Sequence, residues 1–395
     1  MHWVSAVSQK ETLLDALDEV SQALHTGLAG DSVDLLLAFP SQHYLFDYGR
    51  ILPRLAENLP AGKVLGCSAH SAIGSHLEME KGPGLSVIAA HLPAVELVTR
   101  HIERSGLPAL DGSPQPWRDL IGVDPGLRPD FIVLADPYSL DSQRLLTGID
   151  YAYPDSTVVG GLASGATGAR GNALFDTNTI HRSGALVIAL WGNIKLDALV
   201  ARGCRPIGQP ARVTECDGHL LTGIDEQSPT KYLSSLYESL DEATQDLVRT
   251  SLHVGVVVDE LRDEIGPGDF LVRNILGMHQ ESGVVAVGSD LRRGQTVQFH
   301  VRDRETAARD LTQQLAFYRE RHTPDAIAGA LQFSCLGRGQ ALTGTENHDI
   351  SLVQEALGPL PVAGFFGNGE IGPVGSTTHL HGYTTVLGLA RPRSG

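Results

Sequence analysis

Two glycine-dense segments near the C-terminus carry the side chains best suited to chemistry: Phe333-Ser-Cys-Leu-Gly-Arg-Gly339 and Gly364-Phe-Phe-Gly-Asn-Gly-Glu-Ile-Gly-Pro373. Each follows a run of strand character, and glycines at strand ends let backbone N–H groups point at an anion. Arg338 supplies a planar fork that matches a carboxylate. Glu370 lies among Gly, Phe and Ile, where an ionised carboxylate is expensive unless paired. Its two candidate partners are Arg338, which gives a structural ion pair, and a ligand amine, which gives a sensing site. The expected arrangement has Arg338, with backbone N–H groups around Gly339 and Asn368, holding an acid group while Glu370 holds a cationic one. Phe366 walls the pocket. Cys335 belongs to the same loops, although a small thiol is equally at home in a core.

An earlier segment, Gly66-Cys67-Ser68-Ala69-His70, offers a thiol, a hydroxyl and an imidazole within five positions. A hydrolase working through Cys67 or Cys335, with His70 or His381 as base, is therefore one reading. Ser68 is not in a G-x-S-x-G elbow and no acidic residue is placed to orient His70, so binding is favoured over attack and no catalytic residue is assigned. His379 and His381 share one side of a strand, but two histidines without a third ligand do not make a metal site. Gly160-Gly-Leu-Ala-Ser-Gly165 lacks the Lys of a phosphate loop, and no G-x-G-x-x-G joins a strand to a helix. No cofactor and no metal are expected.

The elements that position these loops follow a repeating order. Ser8 and Glu11 read as a capping box opening a helix through Leu13, Leu17, Val20 and Leu24. Val33 to Phe39 reads as a strand, then come a helical stretch, the short strand ending at Gly66, and a longer strand from Leu85. The order recurs from Asp130 through Gly160 to Ala185–Trp191, and again from the helix at Arg304–Arg321 through Gly364 to a strand ending at Ala390. Each short strand ends at glycine, as where a side chain would obstruct the backbone or a ligand. Residues 203–302 differ: a helix over Tyr232–Leu252 precedes four strand-like runs with Gly, Pro and Asp between them. The resulting expectation is a mixed α/β (α+β) fold with internal pseudo-repeats, its largely antiparallel sheets central and its helices on the outer faces. The domains are expected at 1–202 and 203–395.

Composition bounds the partners. A net charge of −16 opposes nucleic acid and anionic membranes as partners, and four dispersed cysteines suit reduced thiols in the cytoplasm. The chain shows no membrane span and no leader pattern.

These residues also resemble the FIST sensory family over nearly the whole chain. The resemblance rests on Gly66-Cys67-Ser68-Ala69, Ile73-Gly74 and Glu80-Lys-Gly-Pro-Gly84 in the N-terminal part, and on the two C-terminal glycine-dense segments. It implies N-terminal and C-terminal FIST regions that bind small ligands, amino acids being the proposed class, to control a signalling output. No catalytic residues come with it. A stand-alone sensor would act through a partner protein or by oligomerising, and the oligomeric state is not fixed by sequence. A third reading is a protein-interaction scaffold.

Overall fold

A computed structural model describes residues 1–262 and 265–393. Two compact units result: Met1–Ala201 with Leu311–Leu380 and Thr384–Gly395, and Arg202–Asp310 with His381–Tyr383.

The first unit repeats one motif three times. The first copy runs β1 (His2–Ser8), α1 (Leu13–Leu28), β2 (Val33–Pro40), α2 (Ile51–Asn58), β3 (Ala61–Cys67), a small hairpin of β4 (Ser71–Gly74) and β5 (Glu78–Met79), and β6 (Leu85–His91). The second runs β7 (Val95–Ile102), α3 (Gln115–Ile121), β8 (Asp130–Ala135), α4 (Ser142–Ala152), β9 (Val158–Leu162), hairpin β10 (Leu174–Asp176) and β11 (Thr179–His181), and β12 (Ala185–Gly192). The third begins with β13 (Lys195–Arg202). It continues only after the second unit's β14 (Cys204–Asp217), β15 (Leu220–Ile224), α5 (Pro229–Ser239), α6 (Glu242–Ser251), β16 (Leu252–Val257), β17 (Phe270–His279), β18 (Val284–Val287) and β19 (Thr296–Arg302). Then follow α7 (Arg304–Arg321), β20 (Gly329–Cys335), α8 (Gln340–Thr343), α9 (His348–Leu357), β21 (Val362–Gly367), hairpin β22 (Glu370–Val374) and β23 (Thr377–His381), and β24 (Thr384–Arg391). The second unit is thus an insertion into the third repeat.

Three six-stranded sheets follow one plan: β1-β6-β2-β3-β10-β11, β7-β12-β8-β9-β22-β23 and β13-β24-β20-β21-β4-β5. In each, four strands come from one repeat and the closing hairpin from another. The exchange is cyclic: the first repeat gives its hairpin to the third sheet, the second to the first, and the third to the second. The parallel pairs are β2/β3, β8/β9 and β20/β21, and the other ladders described are antiparallel. The expected mixed, largely antiparallel architecture with helices outside and internal repeats is the one present.

Alternation along each strand sorts side chains to two faces. Leu35, Leu37, Phe39, Ile132, Leu134, Leu331 and Phe333 meet in one shared core. There Phe39, Phe333 and Phe365 touch, with ring centroids 5.2 to 6.4 Å apart. The opposite faces pack on α1 and α2, on α3 and α4, and on α7 and α9.

Gly66, Gly160 and Gly364 occupy equivalent places opposite Ala38, Val133 and Gln332. A Cβ at any of them would lie 1.8 to 1.9 Å from the partner's carbonyl oxygen. The strands run on to Cys67, Leu162 and Gly367, so these glycines serve the close approach of two parallel strands and do not mark where the chain leaves.

Two local expectations are corrected. Ser8 closes β1 and its hydroxyl donates to Glu19, while Thr12 caps α1 by accepting from Asp15 N at 3.3 Å, so no Ser8–Glu11 box forms. The helix expected over 232–252 is two, because Asp241 caps a new start at Glu242, accepting from Thr244 N at 2.9 Å.

The second unit is a closed antiparallel barrel, β14-β15-β18-β17-β16-β19, around Ile207, Val213, Leu221, Val254, Val285, Val297 and Phe299. Burial lowers the ring pKa of His253 and His300 to about 4. Nearby Arg302 and His300 add to the effect at His253; at His300 a hydrogen bond to Gln298 O opposes it and Arg202 adds to it.

Candidate functional site

Parallel strand pairs carry their loops to one end of each sheet, where α/β proteins commonly bind ligands. In the first unit three such loops are laced together. Ser68 Oγ accepts from Ala173 N at 3.0 Å and donates to Ser164 O at 3.4 Å. Ser164 Oγ accepts from His70 N at 2.8 Å and donates to Phe366 O at 2.6 Å. Asn368 Nδ2 donates to Ala163 O at 3.2 Å, and Leu162 N to Gly369 O at 2.8 Å. One buried residue, Ser164, therefore links the three loops: its hydroxyl joins His70 to Phe366, and its backbone carbonyl accepts from Ser68. In sequence Gly160–Gly165 stands out only by its glycines, not by this serine. The signal available was its position, matching that of His70 and Asn368 after the glycine of each short strand.

Cys67 is fully buried in the shared core, and burial pushes its thiol well above the ordinary range. It is not poised as a thiolate nucleophile. His70 is exposed, with Nδ1 3.0 Å from Gln42 Nε2. Phe366 is buried, Asn368 is exposed, and His381 belongs to the second unit.

A second polar group lies on the helix-facing side of the third sheet. Gln332 and Ser334 project from β20 where the first two repeats have Ala38 and Pro40, and Val133 and Ala135. Ser334 Oγ bonds Thr385 Oγ1 and accepts from Gln332 Nε2 at 3.2 Å. The exchanged hairpin brings Glu78, whose Oε1 accepts from Ile350 N at 3.0 Å and from Gln332 Nε2 at 3.4 Å. Arg338, only 1% exposed, pairs through Nε with Asp349, which also bonds His348 Nδ1 at 2.9 Å. Gly339 lets the Glu80 carboxylate come close, since a Cβ there would sit 2.2 Å from it. Glu80 Oε1 then accepts from Gln340 N at 2.7 Å.

Glu370 is completely buried. Its Oε2 accepts from Thr384 N at 3.2 Å and Thr384 Oγ1 at 2.8 Å. Burial raises its carboxyl to about 8 against the pull of Thr384, Arg338 and Cys335. Glu78 is raised to about 8 by burial and by the Asp349 charge, opposed by Ile350 N and Arg338. Burial also works against ionised Asp349, yet Arg338 and His348 hold its carboxyl below the ordinary value. Among the described residues, Gln332 Oε1 is buried without a hydrogen-bond partner, and Glu370 Oε1 has no nitrogen or oxygen donor. Such a site can bind a polar group and exchange a proton. Among the described residues, no group of three His, Cys, Asp or Glu side chains is placed to hold a metal. No helix there is long and apolar enough to cross a membrane.

Arg338, Gly339, Cys335 and Glu370 are thus brought near one another. No local pattern singles out Glu78, Gln332 or Asp349: Glu78 meets Gln332 across 254 residues of sequence, and Asp349 is an acidic residue in the first turn of α9, where such residues are common.

Comparison with known proteins gives a match to a family model described as the FIST N domain over residues 34–227, and to one described as the FIST C domain over residues 231–373. An uncharacterized protein of Mycobacterium tuberculosis is 32% identical over 384 residues, 97% of this chain and 98% of that protein. An uncharacterized protein of Mycobacterium bovis is 33% identical over 362 residues, 92% of each. A cyanuric acid hydrolase from A. caulinodans superposes with a TM-score of 0.36 at 9% identity, covering 99% of this chain and 100% of that one.

Proposed function

This chain belongs to the FIST family, whose domains are associated with sensory and signal-transduction roles, and from that premise we propose that it senses an amino-acid-like ligand through the polar group of its third repeat. The observation that carries this reading is the burial of Gln332 with its Oε1 left without a hydrogen-bond partner among the described residues, where the other two repeats carry Ala38 and Val133; the Glu370 carboxyl is buried as well. A buried polar group without a partner is costly, and a ligand that supplies the missing partner recovers that cost on binding. Glu370 is the group that meets the ligand's ammonium, and Arg338 with the Gly339 backbone meets its acid group. Cys335 and Phe366 flank them. The ligand state passes to a partner protein through the loop face, where Phe46 is 97% exposed and Tyr138 and Leu336 are also exposed.

The test is a thermal-shift screen against the amino acids and small organic acids, followed by calorimetry of each hit in buffers of differing ionisation enthalpy. A ligand at 100 times its dissociation constant adds about 2.7 kcal/mol. Binding should release a proton, because the ammonium ionises a carboxyl that burial holds largely protonated at neutral pH. Selective binding without proton release would place the ligand elsewhere, and silence across the panel would remove the amino-acid reading.

A further inference from the structure

At the other end of the parallel strands, Arg128, Asp155, Lys195, Arg391 and Arg393 line a cavity of about 630 Å³. Arg128 precedes β8, Asp155 precedes β9, Lys195 opens β13, Arg391 ends β24 and Arg393 follows it. We propose that this cavity is a binding site for a small anion bearing more than one oxyanion group, such as a phosphate ester or a polycarboxylate.

Four cations gather here in a chain whose net charge is −16. Their counter-charges are few and already committed. Asp130 is buried and accepts from Thr157 N at 2.9 Å, Leu196 N at 2.9 Å and Lys195 Nζ at 2.7 Å, with Arg393 Nη2 at 3.9 Å. One carboxylate thus serves both Lys195 and Arg393. Arg391 is forked onto Asp197 at 2.6 and 3.1 Å, which fixes its plane. Arg393 is fixed by Ile194 O and Arg128 O at 3.2 and 2.9 Å. The Arg128 guanidinium has no hydrogen bond or ion pair among the described residues. Asp155 is exposed, and it is the one carboxylate among the lining residues. Among the described residues, four cations against Asp130, Asp197 and Asp155 leave one net positive charge and an unengaged fork. Donors held in place by other contacts lose little freedom when an anion arrives, which favours binding. The volume lies within the range of small-molecule sites. Separate donors at several points of one cavity suit a ligand with more than one oxyanion group.

The test titrates the whole chain with inorganic pyrophosphate and with citrate by calorimetry at low ionic strength. Saturable one-to-one binding is expected, weakened about tenfold by Arg128→Gln through loss of a charge-assisted contact. Asp155→Asn should tighten it several-fold by removing a like charge, and Arg50→Gln, on an exposed turn, should leave it unchanged. Stronger binding of pyrophosphate assigns a phosphate ester, and stronger binding of citrate a polycarboxylate. Absence of saturation with both anions, or equal affinity in the Arg128→Gln variant, overturns the proposal. The site is separate from the amino-acid site, so Glu370→Gln should not alter either titration; its doing so would also overturn the assignment.

Discussion

The first two sheets and the third share a strand order but differ on the faces turned to their helices. Where β2 carries Ala38 and Pro40 and β8 carries Val133 and Ala135, β20 carries Gln332 and Ser334. The first two faces close with apolar contacts to α1, α2 and α4, whereas the third holds Glu78, Arg338, Asp349 and Thr385 in a hydrogen-bonded group. The same backbone can therefore carry an apolar face or a buried polar group. The difference depends on a few outward-facing positions and on which hairpin the exchange delivers.

The sharpest way to break the shared part of this comparison is at its glycines. Gly66→Ala, Gly160→Ala and Gly364→Ala should each cost about 4 kcal/mol or more, because a Cβ cannot fit against the facing carbonyl. Urea denaturation measures this, and a mild effect at Gly364 alone would mean that the third pair is not held as the others are. Next comes the ion pair. Arg338→Ala should cost about 3–5 kcal/mol by leaving Asp349 buried and unpaired, and Arg338→Met with Asp349→Leu should recover most of it. If the single variant is as stable as the parent, Arg338 is not needed by the fold and serves a ligand alone.

A smaller effect follows from protonation. Glu78 and Glu370 titrate near 8 in the fold against an ordinary 4.5, so the folded state holds more protons between these values. Their stabilisation is full below about 4.5 and is lost as pH rises through about 8; Glu370→Gln should flatten that slope. In the barrel the sign reverses. His253 and His300 stay neutral down to about 4 against an ordinary 6.5, so stability falls as pH drops from 6.5 towards 4. Trp3, Trp117 and Trp191 all lie in the first unit, so tryptophan fluorescence follows the glutamates, and the NMR ring signals of His253 and His300 follow the barrel. The smallest change is Gln332→Val, which installs the second repeat's residue. About 1 kcal/mol of stability should be lost with the two long hydrogen bonds to Glu78 and Ser334, along with the response to any amino-acid ligand.

Much of this was legible in sequence. The apolar runs from Val33 and Asp130 mark β2 and β8 within a residue or so, and the recurring order through Gly66, Gly160 and Gly364 reveals the repeat. The hairpins were not legible. Strands as short as Glu78–Met79 or Thr179–His181 show no usable alternation, and their partners are set by tertiary placement. The site was half legible for the same reason. Arg338 and Glu370 stand out as charges among glycines, but their setting depends on Glu78 and Asp349, which no local pattern connects to them.

The cyclic exchange of hairpins has a consequence for synthesis. Residues 71–74 must find β21 at residues 363–366, and the second repeat's sheet is closed only by residues 370–371. When the first two repeats have left the ribosome, the second repeat's sheet still has an open edge, and the hairpin at residues 71–79 has no strand to join. Such non-local pairing slows folding and exposes unpaired edges to other nascent chains. Cutting the polypeptide at any repeat boundary should therefore yield an aggregating fragment, not a smaller domain.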